Sequence, residues 1–173
     1  MVKALPYKSG DVFAVPLRDF GHVLGVVARM DGRGVVPGYF FGGRISSLDG
    51  LGKLYEFDPS SAIHVCRFGD RGLLQGRWAI LGELDPWDSR NWPVPTFRRN
   101  GEILVSYDDS SLALVKEERV VPQVSDDYPN DGLEGAGFVE IKLTRLVSAL
   151  SRPDDLGVAG SASEGLGWSA GFD

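Results

Sequence analysis

His22-Val-Leu-Gly-Val-Val-Ala-Arg-Met-Asp-Gly-Arg-Gly-Val-Val-Pro-Gly-Tyr-Phe-Phe41 decides the fold class. Residues 22–30 alternate with a period of two, yet both alternating sets are largely apolar. Val23, Gly25, Val27 and Arg29 form one, and His22, Leu24, Val26 and Ala28 the other. A strand that is apolar on both faces belongs in the interior of a sheet. Asp31-Gly-Arg-Gly34 reads as a hairpin turn, which makes 35–41 the antiparallel neighbour of that strand. Pro37-Gly38 interrupts this third strand and predicts an edge or a bulge, because proline donates nothing to a ladder.

Working outward, a turn at Ser9-Gly10-Asp11 precedes a strand over 12–17, and further strands are expected over 62–68, 77–81, 96–97, 102–107 and 112–116. Asn100-Gly101 and Asp108-Asp109-Ser110-Ser111 supply the turns that separate the last of them. A short helix is expected over 45–54, although Gly50 and Gly52 weaken it. The strongest helical pattern covers 137–150, where Val139, Leu143, Leu146 and Leu150 share a stripe and Lys142 and Arg145 fall outside it. The expected fold is therefore α+β: a bent, mainly antiparallel sheet or SH3-like small barrel, with a C-terminal helix packed on it. Residues 1–150 form a single domain in this reading. Residues 151–173, rich in Gly, Ser and Ala, form a flexible tail in which Trp168 and Phe172 stand out.

The chain has 173 residues, 43% hydrophobic and 24% charged, as expected of a soluble globular domain with a substantial core. No apolar run approaches the roughly 20 residues that span a bilayer, and Met1-Val-Lys-Ala-Leu-Pro6 has no signal-peptide character. A single cysteine, Cys66, excludes an internal disulfide and makes the cytoplasm the expected compartment. Charge is unevenly spread. Residues 1–101 carry 13 Lys and Arg against 10 Asp and Glu, whereas residues 102–173 carry 5 against 14. The acidic second part would repel a nucleic acid and attract a basic protein.

No catalytic constellation emerges from the residue pattern. His22 and His64 lie in apolar strand patterns, where a packed or hydrogen-bonded histidine is expected more often than a general base. Cys66 follows His64 by two residues, which puts both side chains on one strand face, but a buried inert thiol is the favoured reading. Two histidines and one cysteine do not fill a zinc site without carboxylates, and no ligand spacing is present. The acidic run 126–134 fails the EF-hand pattern, since Pro129 takes the third position and Phe138 that of the bidentate glutamate. Gly32-Arg-Gly34 and Gly50-Leu-Gly52 lack the rest of a nucleotide-binding loop and read as turns. No catalytic residue, metal or cofactor is expected. Trp78, Trp87 and Trp92 fall close together, with Trp78 expected in the core and Trp87 and Trp92 divided between core lid and exposed interface anchors.

Three stretches carry a family resemblance: Gly10-Asp-Val-Phe-Ala-Val-Pro-Leu17, Phe68-Gly-Asp-Arg-Gly-Leu-Leu-Gln-Gly-Arg-Trp-Ala-Ile-Leu-Gly82 and Gly137-Phe-Val-Glu-Ile-Lys-Leu-Thr-Arg-Leu146. In this order the chain resembles the immunity protein 26 family of bacterial polymorphic-toxin systems, with Ala79 where the family usually has proline. The resemblance implies a protein encoded beside a secreted toxin, which binds and blocks that toxin in the producing cell. It supplies no catalytic residues. The opening strand is also similar to that of small-barrel ribonuclease toxins, over about ten residues only, which bears on fold rather than activity.

The function expected is occlusion of a cognate toxin domain without turnover, in the cytoplasm, with neither nucleic acid nor membrane as partner. The candidate contact set is Asp108, Asp109, Asp126, Asp127, Asp131 and Glu134, with Trp87 and Trp92 as anchors. Residues 102–140 hold 10 acidic and 2 basic side chains, so a basic toxin, for instance a nuclease, is the expected partner. The rival reading is a small-barrel ribonuclease or other small hydrolase centred on Arg18, His22 and Arg77.

Overall fold

The computed structural model describes residues 4–49, 51 and 56–151. The expected tail, with Trp168 and Phe172, lies outside the described residues apart from Ser151. The first sheet contains β1 (Asp11–Pro16), β2 (His22–Val27), β3 (Val35–Phe41), β4 (Ala62–Gly69), β5 (Ala79–Glu83) and β9 (Leu133–Glu134). The second contains β6 (Phe97–Arg99), β7 (Ile103–Tyr107) and β8 (Leu114–Arg119). Two one-turn helices, α1 (Arg71–Leu74) and α2 (Pro122–Ser125), precede the long α3 (Ala136–Leu150). None of the described helices is long and apolar enough to cross a membrane.

The first sheet runs β5-β1-β2-β3-β4-β9. All of its pairings are antiparallel except β4 with β9. The α+β reading with a mainly antiparallel sheet holds, and β2 occupies the interior position that its two-sided apolar pattern predicts. The barrel alternative does not: β5 and β9 are the two edges and do not pair with each other, so the sheet stays open. The short helix expected over 45–54 is also absent among its described residues. Ile45 instead forms an isolated bridge to His22, with both backbone bonds made at 2.8 and 2.9 Å.

Pro37-Gly38 marks neither an edge nor a bulge of its own, because β3 lies between β2 and β4. The Ala28 N–H donates to the Pro37 carbonyl at 3.0 Å, and proline has no N–H with which to return the bond. The Ala28 carbonyl instead accepts from Arg29 Nη1 at 2.6 Å, so a side chain repairs the ladder where proline breaks it. Gly38 is needed for space: a Cβ there would lie 2.6 Å from Phe68 Cε1. The observed register shift falls further along, between Phe40 and Phe41.

Because side chains alternate across the pleat, the first sheet has a core on each face. One core combines Phe13, Val23, Val27, Phe40, Cys66 and Phe68 with Trp78 and with Val139, Leu143 and Val147 of α3. The other combines Val12, Val26, Ala28, Tyr39 and Phe41 with Leu84 and Trp92 from the segment after β5. Helix α3 follows its predicted span, but its buried stripe is Val139, Glu140, Leu143 and Val147. Leu146 is partly buried, whereas Leu150, expected on the same stripe, is exposed.

The 68–82 stretch folds as one packing device. Phe68 and Leu73 enter the core and Asp70 is buried, where it accepts from Tyr7 Oη at 2.8 Å. Helix α1 turns the chain, Gly76 takes a positive φ of 67°, and Trp78 returns to stack on Phe13 with ring centroids 5.7 Å apart and planes 2° from parallel. Gly72 is fixed by that return. A Cβ there would lie 2.7 Å from the Trp78 ring, and the Gly72 carbonyl accepts from the Trp78 N–H at 3.0 Å.

Candidate functional site

Four polar clusters lie where these elements meet. The first surrounds Glu140, which the helix geometry buries beside Val139 at 3% exposure. Its Oε1 accepts from Trp78 Nε1 at 3.0 Å and from Arg77, whose Nε lies at 2.7 Å and whose Nη2 makes a shorter contact. Arg18 Nη2 reaches Oε2 at 3.2 Å. The carboxylate thus joins the helix, the 68–82 stretch and the end of β1.

The second cluster is built on Arg29, which is buried at the end of β2. Its Nη1 donates to the carbonyls of Ala28 at 2.6 Å and Trp92 at 3.0 Å, and its Nη2 to the carbonyl of Ser89 at 2.9 Å. Nε and Nη2 both reach Asp109 Oδ2, at 3.1 and 2.5 Å. All the guanidinium donor sites are occupied, which is what allows the charge to be buried. The result clamps the first sheet, the tryptophan segment and the β7–β8 turn together.

The third cluster holds Asp131, whose side chain is 1% exposed. Arg67 Nη2 approaches it at 2.7 Å, Arg99 Nε at 2.8 Å and Tyr107 Oη at 2.7 Å. Burial and the adjoining Asp131 push the Tyr107 hydroxyl above its ordinary pKa. This cluster ties the second sheet to β4. The fourth is centred on Glu134, buried on β9, whose Oε2 is 2.9 Å from His64 Nε2 and whose Oε1 accepts from Lys142 Nζ at 2.9 Å. Burial alone would raise the Glu134 carboxyl, but the hydrogen bonds from His64 and Lys142 outweigh it and hold the group below its ordinary value. Cys66 lies beside it and is almost fully buried. Burial, with the Glu134 carboxylate next, pushes its thiol well up, so Cys66 is protonated and inert as a nucleophile at neutral pH.

A cleft of about 390 Å³ opens between the start of β4 and the 127–130 loop. His64 and Lys142 form part of its lining, with Arg98, Asp127, Tyr128 and Asn130 opposite. Arg98 is held there by Asp126 Oδ1 at 2.6 Å and by the backbone of Pro129 and Asp131.

The expected contact residues divide by environment. Asp131, Glu134 and Asp109 serve the clusters just described, and the first two have almost no exposed side chain. Asp108 caps its own turn. Hydrogen bonds from the Ser111 N–H and hydroxyl, and then from Ser110, hold its carboxyl well below the ordinary range. Asp126 is exposed at 71% and paired with Arg98. Asp127 is exposed and has no hydrogen bond or ion pair among the described residues. Trp92 is buried in the second core, edge-on to Tyr39 at 5.4 Å, and Trp87 is half-buried against it. Trp78 is fully buried, as expected. Of the residues named for a hydrolase, Arg18 and Arg77 do converge, but on Glu140. His22 does not join them: its backbone bridges Ile45, and its buried ring nitrogen Nδ1 has no hydrogen-bond partner among the described residues.

Sequence reasoning did not single out Glu140, Arg29 or Arg67 as organising residues, nor Glu117 and Glu118 on the fully exposed β8. A glutamate at the centre of an apolar helical stripe and arginines inside apolar strands are the signals that mark the first three.

A family model described as Immunity protein 26 matches residues 8–109. Neither the curated proteins nor the solved structures yield a match. The matched segment spans more than half of the chain and contains β1 to β7, the 68–82 packing device, Arg29 and Asp109. The match covers the opening and central stretches, whose apolar residues form much of the core, and the chain belongs to the immunity protein 26 family.

Proposed function

We propose that this protein neutralises a cognate toxin domain in the producing bacterial cell by binding it and covering its working surface, without turnover. The observation that carries this reading is the family match over residues 8–109. The geometry is consistent with a binding role. The strongest polar clusters are closed on themselves by ion pairs, and the exposed acidic groups sit around an open cleft and on an unpaired strand edge. The hydrolase reading needs cationic groups free to meet a substrate, and Arg18 and Arg77 are both drawn onto Glu140.

The contact surface we favour is the mouth of the cleft, with Asp127 as the carboxylate awaiting a partner and Asp126 beside it. Register sets Arg98, Leu104 and Glu118 on one face of the second sheet, which extends the same surface to β8. A basic toxin would meet this face under electrostatic steering in the cytoplasm.

The test reverses Asp126 and Asp127 to lysine together and leaves Asp109, Asp131 and Glu134, which hold the fold, untouched. Association with the toxin is expected to slow by about 10-fold or more at low salt, with a flatter dependence on ionic strength. Unchanged association and salt dependence in stopped-flow measurements would place the interface elsewhere.

A further inference from the structure

We propose that His64, Cys66 and Glu134 form a binding site for one zinc ion. His64 and Cys66 stand two residues apart on β4 and share a face. Glu134 joins them from β9, whose register puts it opposite Phe68 on the same side. His64 Nε2 or Nδ1, Cys66 Sγ and a Glu134 carboxylate oxygen all lie within 4.8 Å of one another. Four-coordinate zinc, with bonds of about 2.0–2.3 Å, sets neighbouring donor atoms roughly 3.3–3.8 Å apart. The His64 to Glu134 separation of 2.9 Å would widen by about half an ångström, and the sulfur would close by no more than about one.

The donor chemistry selects the ion. One imidazole nitrogen, one thiolate and one carboxylate match a borderline-soft cation and exclude Mg²⁺ and Ca²⁺, which take oxygen donors. Lys142 occupies Oε1 of Glu134 and leaves Oε2 facing His64 as the coordinating atom. Phe40 stacks on the His64 ring at 5.8 Å and fixes its orientation. His64 and Lys142 line the cleft, which supplies an entry path. With three protein ligands, water takes the fourth position. Binding forms the zinc–sulfur bond and releases the Cys66 proton to solvent; the His64 nitrogen that takes the metal gives up any proton it shares with Glu134, and the coordinated imidazole carries its one proton on the other nitrogen.

The site also has a structural consequence. Strand β9 pairs with β4 through two residues only. Zinc would clip it there, and with it the preceding loop that presents Asp126 and Asp127. This inference does not depend on the toxin-binding reading.

The full chain, freed of metal by a chelator and kept reduced, is titrated with Co²⁺ and then with Zn²⁺. One Co²⁺ per chain is expected, with a thiolate-to-cobalt charge-transfer band in the near ultraviolet and the strong visible bands of a four-coordinate centre. Stoichiometric Zn²⁺ should abolish both and raise the unfolding midpoint. Cys66→Ser should lose the charge-transfer band, and His64→Gln and Glu134→Gln should each weaken zinc binding by about 100-fold, at or above the effect of losing an outer-shell partner. Absence of the band in the wild-type protein overturns the site, whatever the variants do. So does a band that survives both His64→Gln and Glu134→Gln in protein shown by circular dichroism to be folded.

Discussion

Replacing Trp78 with alanine is expected to lower the unfolding free energy by about 4 kcal/mol, within the range for deleting a core aromatic. Trp78 is fully buried and touches three other rings: it stacks on Phe13, lies edge-on to Phe40 at 6.5 Å and tilts on Phe68 at 5.2 Å. Such pairs add about 0.5–1.5 kcal/mol beyond area burial. Its indole N–H is also the donor that meets Glu140 on the dry side of the helix. Collapse cannot fill the void cheaply, because Phe13, Phe40 and Phe68 are held by strands paired on both sides. Against a typical total of about 5–15 kcal/mol, the loss removes roughly a quarter or more of the stability. Trp78→Phe should cost less than half as much, since it keeps most of the ring contacts and Glu140 keeps its arginines. Urea unfolding of the three proteins checks the order, and equal losses for both variants would show that the indole hydrogen bond, not the packing, dominates.

Arg29→Met is expected to cost about 3 kcal/mol, the lower end for removing one partner of a buried charge network. Methionine fills similar volume but leaves the carbonyls of Ala28 and Trp92 without their Arg29 donor, while that of Ser89 keeps the Trp92 N–H. Each buried acceptor left unpaired costs about 1–3 kcal/mol, less where water can enter. Asp109 moderates the effect because its side chain is 60% exposed and can return to solvent. Asp109→Asn should therefore lose much less than Arg29→Met under the same denaturant titration. Comparable losses would mean that the ion pair, rather than the carbonyl contacts, carries the clamp.

Much of the first sheet was legible because its information is local. Alternation in 22–27, the Asp31-Gly-Arg-Gly34 turn and the strand before it specify β1, β2 and β3 and their antiparallel order. Closure into a barrel was not legible, since it depends on whether two distant edges meet, and β9 is too short to leave a periodic trace. Pro37 misled because its missing N–H is compensated by Arg29, a residue just beyond the end of β2. The acidic loop misled in the same way. Asp131 and Glu134 look like solvated charges next to Asp126 and Asp127, but their partners Arg67, Arg99, His64 and Lys142 come from β4, β6 and α3. Glu140 escaped a stripe that counted only apolar positions.

The most direct test of the account is co-expression of this chain with the product of the adjacent open reading frame, with growth and co-purification scored together. The neighbour alone is expected to arrest growth, this chain to restore it, and the two to elute as one stable complex. A toxic neighbour that is neither rescued nor bound, or rescue without any complex, would contradict neutralisation by occlusion.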